Sequence, residues 1–414
     1  MSSPEFAGWG SSLGAATAQR PAQDEALDGA KLRICFVSHY ALGALVDNSV
    51  RHTLGGIERQ QSVMARWLAA RGHDVSMVTW DEGQGDQENV NGVRVLGFAR
   101  LDAGLPGLRF VHPRWTGLWR ALSRANADLY YYNLGDATLG QVVLWCRVNN
   151  RKCVYSVPID SACMRDLPKL RARRQRVLYR YGLRHADRVI VQTRRQESML
   201  LENFGLRSDS LPMPCVDESP TPGCETVSPP SAKPGVLWVG RFAEQKHLEW
   251  LLDLAERSPD LCFDVAGGSH ESSPYADAMI ARAQTLPNVV LHGQVPHASL
   301  VALYRSAVCL LCTSRVEGFP NTFLEAWSHG LPVVSTFDPD DIIARMGLGG
   351  TAADVDGLNR EVRRLVDSSE ERARASAAAR GYYETNHMLD PCMQRFERFF
   401  REAMRGDFQS PGPA

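Results

Sequence analysis

Short, unbroken apolar runs alternate with longer amphipathic stretches along most of the chain. The first run is Leu32-Arg-Ile-Cys-Phe-Val-Ser-His39, and others lie at 75–79, 93–98, 129–132, 152–157 and 188–192. Runs this short, bounded by turn residues, predict strands buried on both faces. Between them, helical spacing predicts helices following Leu54-Gly-Gly-Ile-Glu-Arg59 to about 71, and at 113–126, 138–149 and 167–185, with a polar turn at 83–91. Residues 212–234 break the rhythm: prolines, serines and acids dominate, as in Asp217-Glu-Ser-Pro-Thr-Pro222, which predicts a linker. A second series succeeds it, with strands at 236–240, 262–266, 289–292, 308–312 and 333–336. Its helices are expected at 246–257, 275–285, 298–306, 356–368, 370–385 and 391–404. Strands taking turns with helices predict parallel, doubly wound α/β sheets. The divisions are an arm at 1–30, a first domain at 31–213, a linker at 214–234, a second domain at 235–387 and a closing helix with its tail at 388–414.

The densest chemistry lies in the stretch from Cys312 to Thr336. Glu317-Gly-Phe-Pro-Asn321 reads as a turn, with Asn321 as the expected N-cap of a helix that Gly330 ends. Glu317 falls in the loop and Glu325 one turn into the helix. The unbonded N–H groups at the helix start form an anion site between the two acids. An ionised carboxylate only accepts hydrogen bonds, so each suits a pair of vicinal hydroxyls. A diol, a phosphate and a second diol in a row describe a nucleotide sugar. At the end of the 236–240 strand, Arg241 can grip a phosphate with two parallel donors, and Lys246 adds a point charge.

Glu317 through Glu325 resembles the E-x7-E signature of retaining GT-B glycosyltransferases of family four, and Glu325-Ala-Trp-Ser-His-Gly-Leu-Pro-Val-Val334 is similar to its continuation. The resemblance implies two Rossmann-like domains facing across a cleft, with the last helix crossing back to the first domain. Phe396, Phe399 and Phe400 would give that helix its apolar stripe. It implies that Glu317, with Gly318, Phe319, Pro320, Asn321 and Thr322, meets the donor sugar and diphosphate, and that Glu325 holds the ribose. Arg241 and Lys246 are similar to the pair that neutralises the diphosphate, and Gly55-Gly56-Ile-Glu58 to the glycine loop beneath it. Main-chain groups at Gly293-Gln-Val295 would hold a uracil or guanine base. Where many relatives carry a histidine near the reacting carbon, this chain has Tyr132-Asn133, and past the next strand Ser156-Val-Pro-Ile-Asp160. Asn133 or Asp160 is then the candidate for the sugar-hydroxyl or acceptor contact.

The 414 residues suffice for two cores, and the formal charge of −1 argues against a nucleic-acid partner for the protein as a whole. Ten cysteines without paired spacing suggest reduced core thiols and a cytoplasmic location, with Cys309-Leu-Leu-Cys312 inside a buried strand. Residues 1–30 lack the basic start and apolar core of a signal peptide and read as a disordered arm, and no stretch approaches a membrane span. Asp338-Pro-Asp340 resembles the metal-binding Asp-x-Asp of another glycosyltransferase fold but lies at the wrong place for it here. No metal and no cofactor are expected, only a UDP- or GDP-linked sugar as donor and a carbohydrate or lipid-linked acceptor. Residues 165–195 are densely basic, with Leu170, Val177, Leu178, Tyr181 and Leu183 interleaved at roughly helical spacing. That segment is a candidate for peripheral contact with anionic membrane at its inner face. The expected activity is retaining hexosyl transfer in polysaccharide or glycolipid assembly. The alternatives are a nucleotide-sugar epimerase of the same fold and a non-catalytic nucleotide-sugar-binding protein.

Overall fold

The computed structural model describes residues 30–46, 55–84, 88–106, 108–217, 234–269 and 273–406. Residues 1–29 of the predicted arm and most of the predicted linker lie outside them. In the first sheet β1 (Arg33–Val37) is central. To one side lie β2 (Asp74–Thr79), then β4 (Val93–Gly97) and β3 (Glu88–Val90) at the edge. To the other lie β5 (Leu129–Tyr132), β6 (Lys152–Ser156), β7 (Arg188–Val191) and β8 (Asp209–Ser210). The second sheet runs in the order β11 (Val289–Gly293), β10 (Cys262–Gly268), β9 (Gly235–Arg241), β12 (Cys309–Cys312), β13 (Val333–Ser335) and β14 (Gly349–Thr351). Every pairing is parallel except β3 with β4. Both sheets are therefore of the expected doubly wound kind.

Six helices build the cleft and its surroundings: α1 (Gly56–Ala70), α2 (Arg173–His185), α3 (Arg194–Phe204), α4 (Asn321–Ser328), α5 (Ile342–Met346) and α6 (Leu389–Arg405). Three local expectations are corrected. The polar turn at 83–91 contains β3, folded onto β4 through Asn91-Gly92 with φ of 52° and 83°. Positive φ at both central residues is what a two-residue hairpin with the right twist needs. The helix expected over 167–185 begins only at Arg173, because Leu167 precedes a proline and sits at φ 49°. The expected series left out α3, although Thr193 caps its start, accepting from Gln196 N at 3.1 Å, and Gly205 ends it at φ 65°.

The closing helix α6 does cross to the first sheet. Phe396, Phe399 and Phe400 are buried, and the Phe400 ring meets Tyr131 of β5 edge-on at 5.9 Å. Trp67 of α1 donates to Asp390 at 2.6 Å, and the Arg188 guanidinium lies 4.5 Å over Phe399. Truncating a fully buried phenylalanine removes its transfer energy and leaves a cavity. Phe400→Ala should therefore cost about 3–5 kcal/mol of stability, read by urea unfolding. A loss under about 1 kcal/mol, by the same scale, would mean that α6 is not fixed to the sheet.

Candidate active site

The C-terminal ends of parallel strands are where such sheets place ligands. The expected site residues fall there: Asn133 after β5, Asp160 after β6, Arg241 at the end of β9, Val295 after β11, and Glu317 through Thr322 after β12. The two edges face each other, and named contacts close the gap. Gln60 of α1 donates to Asn321 Oδ1 at 3.2 Å, and a methyl on Gly56 would lie 2.6 Å from Asn321 Nδ2. Asn321 is not the N-cap expected of it. Pro320 takes that position, α4 has no side-chain cap, and the Asn321 amide is spent on the opposite domain. Among the described residues no side chain caps the start of α1 at Gly55 either. Two helix starts, each with the positive end of its dipole, thus converge on one point. The Glu58 carboxylate folds back over Gly55 at that point.

Each acid of the E-x7-E pair is held by a partner. Glu317 is ion-paired with Lys246, whose carbonyl accepts from Thr313 Oγ1 at 2.6 Å. Glu325 accepts from the buried Tyr304 hydroxyl at 2.7 Å. Burial and the adjacent Glu325 charge hold the Tyr304 hydroxyl well above its usual pKa, so it stays a donor. Phe319 packs edge-on against Trp327 at 6.0 Å, fixing the loop to the helix behind it.

From the first domain, Pro158 and Ile159 bear on the same loop. A methyl on Gly318 would stand 2.6 Å from the Pro158 carbonyl oxygen and 3.2 Å from Ile159 Cα. The next residue, Asp160, is buried, ion-paired with Arg195 at 3.1 Å and bonded by Gln196 Nε2 at 3.2 Å. Burial raises its pKa, the Gln196 bond and Arg195 oppose the rise, and Asp340 and Glu317 add to it. Asp160 is therefore tied to α3 and within electrostatic reach of Glu317.

Asn133 is not joined to the other site residues. In register it stands between Ser38 beyond β1 and Ser156 on β6, because Val37 pairs with Tyr132 and Tyr132 with Tyr155. All three are fully buried, and among the described residues no well-formed hydrogen bond satisfies their side-chain polar atoms, although Asn133 and Ser156 lie near the Tyr131 hydroxyl, in a row that open solvent does not reach. Val295 is half-buried beyond Gly293 at φ 65° and packs on the same core cluster as Phe319.

Lys169 belongs to the cleft as well as to the basic segment with which its sequence neighbours group it. Its charge interacts with Glu317, Arg241 and Lys246. Its side chain is exposed, but the cleft walls strip enough water from the ammonium to lower its pKa. Glu317 opposes that fall, and the two cations reinforce it. The Asp338–Asp341 stretch is a clasp. Asp338 accepts from Ile343 N and Ala344 N at 2.8 and 3.0 Å, capping α5. Asp340 accepts from Arg194 N and Arg195 N at 2.8 and 3.2 Å, capping α3 of the opposite domain. Among the described residues no cluster of three or more His, Cys, Asp or Glu could hold a metal ion. Cys309 and Cys312 join core clusters on opposite faces of the second sheet, so they do not form a shared site.

Two family models match in tandem: "Glycosyl transferase 4-like domain" over residues 55–214 and "Glycosyl transferases group 1" over 233–368. The UDP-N-acetylglucosamine–peptide N-acetylglucosaminyltransferase GtfA subunit of Streptococcus pneumoniae is 31% identical over 164 residues, 38% of this chain and 32% of that one. A GDP-mannose-dependent alpha-mannosyltransferase of Mycolicibacterium smegmatis is 34% identical over 134 residues, 31% of this chain and 32% of that one. The matches span about a third of the length of these curated relatives. Sucrose-phosphate synthase from Thermosynechococcus elongatus superposes with a TM-score of 0.71 at 18% identity, over 90% of this chain and 99% of that one. The fold is GT-B.

Proposed function

Because the chain belongs to the GT-B glycosyltransferases of the family-four type, we propose that its cleft moves a hexosyl unit from a UDP- or GDP-linked sugar to an acceptor hydroxyl, with retention and without a metal ion. The acceptor is a carbohydrate or a lipid-linked glycan, and the setting polysaccharide or glycolipid assembly. The observation that carries this reading is the meeting of two uncapped helix starts at Gly56 and Asn321, flanked by the Lys246–Glu317 and Tyr304–Glu325 pairs. Both named curated relatives use sugar nucleotides, one UDP-linked and one GDP-linked, so the base stays open.

In the proposed complex the diphosphate lies on the amides of Gly55, Gly56, Asn321 and Thr322, with Glu58 swung aside. Arg241 and Lys246 balance the charge that grows on it as the glycosidic bond breaks, and aimed charges of this kind are commonly the largest catalytic contribution. Glu325 takes the ribose hydroxyls. Glu317, with the main chain of Gly318, Phe319 and Pro320, orients the sugar, and Val295 offers main-chain groups to the base. The departing diphosphate oxygen accepts the proton of the incoming hydroxyl on the face it leaves, which gives retention with no covalent intermediate. Asp160, whose carboxylate interacts electrostatically with Glu317, is favoured over the fully buried Asn133 for the sugar-hydroxyl side of the cleft.

A thermal-shift panel of UDP- and GDP-sugars identifies the donor, since a ligand of the native state raises apparent stability. Turnover with an acceptor should then release free nucleoside diphosphate and a glycoside of the donor's anomeric configuration. An epimerised sugar nucleotide formed without acceptor would overturn transfer. Glu325→Ala removes charge-assisted hydrogen bonds, each about 1.5–3 kcal/mol. Donor KM should rise roughly 10- to 100-fold with kcat little changed. An unaltered KM would remove Glu325 from the ribose.

The proposal extends to peripheral contact with an anionic membrane at its inner face through residues 165–195. No described helix is long and apolar enough to cross a bilayer. Leu170, ahead of α2, and Leu183 within it belong to the core, and α2 offers solvent its arginines with Val177 exposed among them.

A further inference from the structure

We propose that the segment leaving β4, with Leu105, Leu108 and Val111 at its crest, is the element that enters the headgroup layer of an anionic bilayer. The inference rests on the peripheral-membrane reading above and moves the anchor from the basic helix to this crest. Leu105 is 70% exposed, Leu108 64% and Val111 56%. Exposed aliphatic residues scattered singly need no explanation. Three within seven residues, rimmed by cations, form a patch of the kind that marks an interaction surface.

The crest is joined to the basic helix. Phe110, half-buried between Leu108 and Val111, lies under the Arg174 guanidinium at 4.7 Å. One turn further along α2, on the face of Arg173 and Arg174, Val177 is 57% exposed. The helix sequence Arg-Arg-Gln-Arg-Val-Leu-Tyr-Arg-Tyr-Gly-Leu-Arg-His contains no acid. At the foot of the crest Asp102 is paired with Arg100 at 3.3 Å, while Arg109 is exposed.

This charge pattern selects the occupant. A surface of aliphatic tips ringed by guanidinium groups complements a layer of phosphates above acyl chains. The two parts have different tasks. Tyr179 and Leu183 of α2 are buried, so the helix draws the protein to the surface without inserting. The crest supplies apolar area whose burial does not depend on salt. It also leaves the sheet at the edge that carries Asn133 and Asp160, so docking there sets the cleft beside the membrane surface.

The test uses the full chain and vesicles of phosphatidylcholine with and without phosphatidylglycerol, sedimented at low and high salt. Wild type should bind only the anionic vesicles. The variant Leu105→Ser/Leu108→Ser/Val111→Ser should bind them at least about tenfold more weakly and lose all binding at high salt. Arg171→Gln/Arg173→Gln/Arg174→Gln should lose most binding and its salt dependence. These are surface changes, and unaltered thermal unfolding verifies that both variants fold. If the serine variant binds like wild type while the glutamine variant does not, the helix alone docks: the membrane reading stands and the crest is overturned. If wild type ignores anionic vesicles, both the membrane reading and the crest fall.

Discussion

Lys246→Ala should lower kcat by about two to three orders of magnitude, the scale seen when one aimed donor is taken from a developing anion. Lys246 has two tasks in the proposed complex. It fixes the Glu317 carboxylate, to which it is ion-paired, and it faces the diphosphate as negative charge builds there. The first task is performed equally in ground and transition states, whereas the second strengthens only along the reaction, so the loss should fall on kcat more than on KM. A Glu317→Gln background separates them. A lysine that only held Glu317 would become dispensable once the carboxylate is an amide. A lysine that also serves the phosphate should still cost more than about tenfold there. Equal rates for Glu317→Gln with and without Lys246 would take the diphosphate role away.

The contrast between what the chain reveals and what it conceals arises from the range of the interactions. Strands buried on both faces must be apolar at every position, so β1, β5, β6, β9 and β12 are legible within a residue or two. Short β14, Gly-Gly-Thr, has no apolar run to read. The E-x7-E spacing is legible because it is a local loop-and-helix device. Asn321 is misread because a good capping residue and a good cross-cleft acceptor look alike, and its donor Gln60 is 261 positions away. Asp340 is the same case: its task depends on the start of α3, which no neighbouring residue encodes. The apolar positions of 170–183 keep helical spacing, but spacing does not distinguish packing on a core from lying on lipid. The Arg174–Phe110 contact, which joins the basic helix to the crest, is likewise hidden from spacing because its two partners are far apart in the chain.

Gly318→Ala should reduce kcat/KM by about a hundredfold, the loss attending a displacement near 1 Å in an oriented site. The added methyl would meet the Pro158 carbonyl oxygen at 2.6 Å and Gln196 Nε2 at 3.1 Å. The side-chain amide can yield a few tenths of an ångström only at the expense of its bond to Asp160. The carbonyl belongs to the backbone leaving β6, so relief must come from the Glu317–Asn321 loop retreating from the first domain. That retreat carries Glu317 away from Asp160 and strains the Gln60–Asn321 bridge at the other end of the loop. Neither sheet loses a core contact, so thermal unfolding should move little while catalysis falls. Gly381, within the helix 369–386 and with nothing inside 4 Å of an added methyl, is the matched control. Gly381→Ala should leave kinetics unchanged and add roughly 0.5–1 kcal/mol of stability. Wild-type kcat/KM in Gly318→Ala would mean that the two domains need not approach at this loop for transfer, and the cleft as described would not be the reacting state.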